Sequence, residues 1–194
     1  MRLSEIIRSI RPATFAEKSL ARIAGVSGGV DVSLPYLQSG WVNVADSQYT
    51  AGSPLAITGG VRTQLTINGL GATTNKLFAN GMPQDVWSDN RFKPSDIGEC
   101  YNLRLTATVT QAQAGSGHHV TFEADIGTEE SPFIAASQSI PLNKGNGVPS
   151  LITISAPFFT LGTFGLNGAR LFLTPSVNVT VHSMAIFIQR TFKP

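Results

Sequence analysis

Apolar residues recur at two different periods along this 194-residue chain. Leu3, Ile6, Ile7 and Ile10 fall at i, i+3, i+4 and i+7, one face of a helix, with Arg2, Glu5, Arg8 and Ser9 on the other. Pro12 ends that pattern, since its ring clashes with a preceding helical turn. Thr14-Phe15-Ala16-Glu17 then has the form of a capping box, and Gly25 stands where a helix C-cap belongs. The spacing predicts two short helices, 3–11 and 15–24, the second carrying Phe15, Leu20 and Ile23. Each falls below the roughly 12–15 residues an isolated helix needs in water, so both require a surface to dock on. Gly25-Val26-Ser27-Gly28-Gly29 reads as a flexible break, and from Val30 onward the period drops to two.

Tyr101, Leu103, Leu105, Ala107 and Val109 share one face of a strand, and Val120, Phe122, Ala124 and Ile126 repeat the alternation. Further strands are predicted at 41–46, 55–58, 61–68, 133–140, 150–156, 169–174, 177–182 and 184–191, separated by turn signals such as Asn68-Gly69, Ala114-Gly115-Ser116-Gly117 and Asn167-Gly168. Ten short strands without an intervening helix read as a sandwich or barrel. The pattern thus divides the chain into a helical anchor arm with a Gly-rich linker, 1–29, and a β domain, 30–194. Residues 78–99 show neither period and read as one long loop. Its Trp87 and Phe92 either face a receptor or plug the end of the sandwich, and the ease with which large aromatics bury favours the plug. In the last strand Met184, Ile186 and Ile188 lie on one face and Ala185 and Phe187 on the other, so neither face suits water. Two readings fit: a central strand packed on both sides within one domain, or a sheet whose outer face meets neighbouring subunits.

Composition adds to this picture. Only 13% of residues are charged, while Gly (19) and Pro (11) are plentiful, a turn-rich composition well below the usual share of charge. A lightly charged surface implies cover by other subunits. The net charge is +2. The first 24 residues hold Arg2, Arg8, Arg11, Lys18 and Arg22 against Glu5 and Glu17, which leaves the rest of the chain close to neutral. This basic end is too weak for nucleic acid, where a stripe of Lys and Arg with interleaved aromatics is needed. A single cysteine, Cys100, excludes an internal disulfide and fits a reducing compartment. No apolar run approaches the roughly 18 residues of a membrane span. Arg8 and Arg11 interrupt any signal-peptide core, and Glu5 and Glu17 depart from a mitochondrial presequence.

Candidate chemistry is sparse. Gly25-Val26-Ser27-Gly28-Gly29 matches the G-x-S-x-G elbow of serine hydrolases, but that motif needs a strand before it and a helix after it, and here the order is reversed. His118, His119 and Glu123 resemble in outline the metal cluster of cupins. Adjacent strand residues point to opposite faces, however, so the two imidazoles cannot converge on one ion. His119, Thr121, Glu123 and Asp125 read instead as a polar outer face. Asn178-Val179-Thr180 is a formal glycosylation sequon inside a predicted strand. No P-loop, zinc-protease helix or cysteine cluster is present. The expectation is a protein without catalytic, metal or cofactor sites.

Three stretches carry a family resemblance: YTAGSPLAITGGVRTQLTINGLGA at 49–72, VWSDNRFKPSDIGECYNLRLTATVT at 86–110 and FFTLGTFGLNGARLFLTPSVNVTVHSMAIFIQR at 158–190. In order and character they resemble the TNF-like trimeric jelly rolls found among virion proteins of tailed bacteriophages, as capsid decoration or head-fibre subunits. The resemblance covers about residues 30–194. It implies an all-β jelly-roll sandwich, a homotrimer packed round a threefold axis with Met184, Ile186, Phe187 and Ile188 at the subunit contact, and a structural role on the capsid surface after synthesis in the host cytoplasm. With the arm it suggests a cement protein. Leu3, Ile6, Ile7, Arg8, Ile10, Arg11, Phe15, Leu20 and Ile23 would then anchor the trimer to the major capsid protein, with no nucleic acid or membrane as partner. The second reading is a receptor- or glycan-binding module of a head fibre or tail, using Trp87 and Phe92 against a host-surface sugar.

Overall fold

The computed structural model describes residues 40–77 and 82–194. They belong to the compact unit Pro35–Pro194. The predicted helices, the linker and the anchor residues from Leu3 to Ile23 lie outside the described residues.

Two antiparallel sheets form the fold. The larger is ordered β10 (Pro149–Phe159), β7 (Cys100–Gln111), β12 (Val179–Phe192), β1 (Gly40–Ala45) and β4 (Asn75–Leu77), with β2 (Leu55–Ile57) also paired to β12. The smaller is ordered β3 (Thr63–Gln64), β11 (Arg170–Pro175), β8 (His119–Asp125) and β9 (Ile134–Pro141). From β7 to β12 the chain passes back and forth between the sheets, the winding of a jelly roll. The core lies between them. Leu103, Leu105, Ala107 and Val109 of β7, Ile152 and Ile154 of β10, and Ile186 and Ile188 of β12 face Val120, Phe122 and Ala124 of β8 and Leu171 and Leu173 of β11. Alternation along each strand is what builds this layer, and it is cleanest in β7 and β10.

Some predicted boundaries change. The strands expected at 177–182 and 184–191 are one strand, β12, with a bulge between His182 and Ala185 opposite Thr108 and Thr106. Ser183 sits there at φ 54, and its N–H donates to the Tyr49 carbonyl. The extra residue moves the inward set from Val179 and Val181 to Met184, Ile186 and Ile188, a change of phase that looks like a break in the sequence. Of the predicted strand 61–68 only Thr63–Gln64 pairs as a strand, although Leu65 and Ile67 are buried beyond it. The segment 78–99 contains a hairpin, β5 (Trp87–Ser88) and β6 (Arg91–Phe92), whose two turn residues Asp89 and Asn90 both take positive φ. A short helix, α1 (Gly162–Asn167), interrupts the all-strand expectation. Its two glycines conceal it in sequence, and it forms because Phe164 plugs the sandwich end against Phe92, at 5.2 Å between ring centroids, and Phe158, at 5.5 Å. The chain leaves α1 through Gly168 at φ 66 and ψ −173, a conformation reserved for glycine.

The same end of the core encloses a buried ionic cluster. Glu99 and Arg190 are fully buried and paired at 2.8 Å. The Glu99 carboxylate also accepts from the Tyr101 hydroxyl at 2.7 Å, the Ser95 hydroxyl at 2.8 Å and the Asp96 N–H at 3.0 Å. Burial pushes the Glu99 pKa up, but the Asp96 N–H, the Tyr101 and Ser95 hydroxyls and Arg190 outweigh it and hold the group below its ordinary value. Burial and the adjacent carboxylate push the Tyr101 hydroxyl far above its own. Because the Glu99 pKa is lowered on folding, its stabilisation is complete above the unfolded value, about 4.3, and is lost as pH falls from there through the native value. Glu99→Gln removes the buried carboxylate that pairs with Arg190 and leaves a neutral amide in its place. Urea unfolding at pH 7 is expected to show a loss of about 3–5 kcal/mol, and the gap to the parent chain should narrow below about pH 4.

Candidate interaction surface

The registers of the large sheet place its outward side chains in rows. One row runs Phe159, Cys100, Phe192; the next Pro157, Asn102, Gln189, Trp41, Leu77; the next Ser155, Arg104, Phe187, Asn43, Asn75. Beyond these come Thr153, Thr106 and Ala185, then Leu151, Thr108 and His182. Across these rows Arg104 is the single Arg, Lys, Asp or Glu. Trp41 and Phe187 stack across β1 and β12 with centroids 5.9 Å apart and planes 28° from parallel. The Arg104 guanidinium lies 5.3 Å over the Phe187 ring, a cation–π contact that keeps even this charge on the apolar floor. Leu151 is 77% exposed and Phe159 56% exposed. A five-stranded face so poor in charge and bearing exposed Leu and Phe has the chemistry of a surface that another protein covers.

The candidate residues fall differently from the expectation. Met184, Ile186 and Ile188 point into the chain's own core and are already buried there, so they have no surface left for a neighbouring subunit. Phe187 faces outward, since successive strand residues take opposite faces, and belongs to the row just described. The aromatics of the 78–99 segment turn inward. Phe92 is fully buried, edge-on to Tyr101, Phe158 and Phe164. Trp87 packs against the core, and its Nε1 donates to the Ile67 carbonyl at 3.0 Å. Phe92 is therefore not a receptor contact, and Trp87 is half-buried and held. Trp41, Arg104, Leu151 and Phe159 are the surface residues that the sequence reading missed. The signal was available in β10, where Leu151, Thr153, Ser155, Pro157 and Phe159 alternate with Ile152, Ile154, Ala156 and Phe158.

The polar face of the small sheet carries an ion-pair network. Asp125 is buried; its Oδ1 accepts the N–H groups of Gly127 at 2.8 Å and Phe133 at 2.9 Å, fastening the connection to β9. Its Oδ2 accepts from Arg170 at 3.0 Å and Arg62 at 3.1 Å. Arg62 also donates Nε to Glu123 at 2.6 Å and lies 3.6 Å over the Phe172 ring. Burial raises the Asp125 pKa, but the two backbone N–H groups and the two arginines outweigh it, so the carboxyl stays ionised below its usual range. His118 contacts Gln111 at 2.9 Å, while His119 contacts the Gly117 carbonyl at 3.2 Å, so the two imidazoles take separate partners. Among the described residues no three His, Cys, Asp or Glu side chains are grouped to hold a metal. Ser27 lies outside the described residues. Asn178, expected inside a strand, stands just before β12 and accepts the Gly59 N–H at 2.8 Å.

These features define a class: a jelly-roll β-sandwich of two antiparallel sheets that presents a broad, nearly uncharged sheet face. Neither a family model nor a curated protein sequence matches the chain. Among solved structures it is similar to the globular domain of zebrafish complement 1qA protein, at 13% identity over 77% of this chain and 94% of that one, with a TM-score of 0.44. It is similar also to PRD1 vertex protein P5, at 14% identity over 86% of this chain and all of that one, with a TM-score of 0.45. Eiger TNF from S. frugiperda gives 7% identity over 80% and 93% of the two chains, with a TM-score of 0.45. These likenesses concern the arrangement of strands, and the sandwich itself rests on the strand order and registers above.

Replacing Leu151 and Phe159 together by Glu tests the face. Both side chains point to solvent within one chain, so each change should shift stability by no more than about 0.5 kcal/mol. If the face is covered by protein, native mass measured by light scattering falls to that of one chain.

Proposed function

We propose that this chain is a structural protein of a virion, a homotrimer that packs the outer faces of its large sheets round a threefold axis. The observation that carries the self-association is the outward rows of that sheet, in which Arg104 is the single Arg, Lys, Asp or Glu. Phe187 belongs to this contact, joined by Trp41, Leu151 and Phe159. The virion setting rests on the resemblance of residues 49–72, 86–110 and 158–190 to phage jelly rolls. In this reading the chain is a capsid decoration or cement protein without catalytic activity, standing on the capsid surface after synthesis in the host cytoplasm. Residues 1–29 attach it to the major capsid protein through Leu3, Ile6, Ile7 and Ile10. One such arm binds weakly, because ordering it costs backbone entropy. Three arms on one trimer gain through effective concentration. The alternative, receptor or glycan binding, loses its expected aromatic pair, since Phe92 is buried and Trp87 is held by Ile67.

The test is the behaviour of the full chain and of a variant lacking residues 1–29. Light scattering should give three times the chain mass for both, and only the full chain should cosediment with capsids stripped of it. A native mass of one chain removes the trimer and with it the avidity argument. Unimpaired capsid binding by the truncated variant removes the anchor role.

A further inference from the structure

Asn-Gly is the pair of residues at which a polypeptide most readily attacks itself. The backbone nitrogen of the glycine, unshielded by a Cβ, reaches the side-chain amide carbon of the asparagine before it. Three such pairs lie among the described residues, Asn68-Gly69, Asn146-Gly147 and Asn167-Gly168; a fourth, Asn80-Gly81, lies outside them. In sequence the pairs are alike. In the fold they are not, because ring closure needs a side-chain amide that can turn, a backbone nitrogen that can leave its hydrogen bond, and room round the glycine.

Two of the pairs are held. The Asn68 Oδ1 accepts the N–H groups of Ser47 and Leu70, each at 3.1 Å, and its Nδ2 donates to the Ser47 hydroxyl at 3.0 Å. A Cβ on Gly69 would come within 3.4 Å of the Val44 Cγ1. Asn167 donates Nδ2 to the Ile126 carbonyl at 3.0 Å, and the Gly168 N–H closes α1 on the Phe164 carbonyl at 2.8 Å. There is no room at that glycine either, since a Cβ on Gly168 would stand 2.7 Å from the Phe92 carbonyl oxygen. Asn146 differs on every count. It stands exposed in the turn between β9 and β10, and its side chain makes no hydrogen bond to another described residue. Beyond the chain neighbours, no atom lies within 4 Å of where a Gly147 Cβ would be. The Gly147 N–H donates to the Gln111 carbonyl at 3.2 Å, and the turn closes through the Val148 N–H on the Gly145 carbonyl at 3.4 Å. The first bond is at the long limit for its type and the second is beyond it, so this turn opens at low cost.

We propose that Asn146 is a site of spontaneous modification, at which the folded chain converts its own amide to a carboxylate through a cyclic imide. The Gly147 nitrogen gives up its proton to solvent base and bonds to the Asn146 Cγ; the Cγ–Nδ2 bond breaks, and the amide nitrogen leaves as ammonia. Water then adds across the imide. Cleavage at Cγ gives aspartate, and cleavage at the backbone carbonyl of residue 146 gives isoaspartate, the chain now running through the former side chain. Either product sets a carboxylate in the turn 142–148, where Lys144 is the only charged residue. The isoaspartyl form also lengthens the backbone by one carbon, and so displaces the N–H that ties this turn to Gln111 of β7.

The test holds the full chain in mildly alkaline buffer and follows the three pairs by peptide mass mapping, with isoaspartate counted by labelling with protein isoaspartyl methyltransferase. Asn146 should convert at least tenfold faster than Asn68 and Asn167. In urea the three should react at similar rates, since the protection of two of them belongs to the fold. Asn146→Gln, which has to close a larger ring, should slow conversion at this position at least tenfold and leave native mass and the unfolding midpoint unchanged. Comparable rates at all three pairs in the folded chain overturn the inference, as does an Asn146 that stays intact while the same pair converts in urea. A ranking of the pairs that persists in urea overturns it too, because the difference then lies in the local sequence.

Discussion

The pairing of β12 with β7 is the constraint on which the rest of this structure depends. β12 is the central strand of the large sheet, held between β7 and β1. Strand side chains alternate, so a slip of one residue would exchange its whole inward set for its outward one. The bulge at Ser183 resets that phase in mid-strand and sets the faces as far as a second register shift between Arg190 and Phe192: Met184, Ile186, Ile188 and Arg190 go inward, Ala185, Phe187 and Gln189 outward. Had the phase of Val179 and Val181 continued, Phe187 would sit in the core and the Ile pair would face solvent. The bulge is itself tied down by the Ser183 N–H on Tyr49 and by the Asp46 N–H on the Met184 carbonyl.

Arg190 is the price of that register, since the inward phase carries a guanidinium into the core. The chain answers with Glu99, which is placed by the turn at Ser95 and Asp96 and accepts hydrogen bonds from Ser95, Asp96, Tyr101 and Arg190. The small sheet repeats the device with Asp125 between Arg62 and Arg170. Both clusters fasten a connection: Glu99 the turn before β7, Asp125 the turn before β9. They use chemistry of the kind that active sites use, buried carboxylates with lowered pKa, for structural ends.

Function in this molecule is a property of faces. The outward rows of the large sheet, nearly free of charge, are what the proposed self-association rests on.

Period-two alternation in 101–109 and 120–126 was enough to determine the all-β sandwich, because side chains of one face must share one environment whatever the strand pairs with. Scant charge raised the expectation of a covered surface without saying where it would lie. Which residues form that surface was decided by tertiary structure. Met184, Ile186 and Ile188 were legible as one apolar face, but sequence alone has no sign for inside and outside when both faces are apolar. The opposite sheet supplied it by packing against the Ile face and leaving Phe187 to Trp41 and Arg104. Phe92 and Trp87 stayed ambiguous for a related reason, since a loop aromatic is placed by partners distant in sequence, here Tyr101, Phe158, Phe164 and the Ile67 carbonyl. Helix α1 could not be foreseen because its stability comes from the Phe164 plug rather than from the intrinsic preference of Gly162-Thr163-Phe164-Gly165-Leu166-Asn167. Local periodicity therefore determined what the layers are made of, and only the packing of one layer on the other decided which way each of them faces.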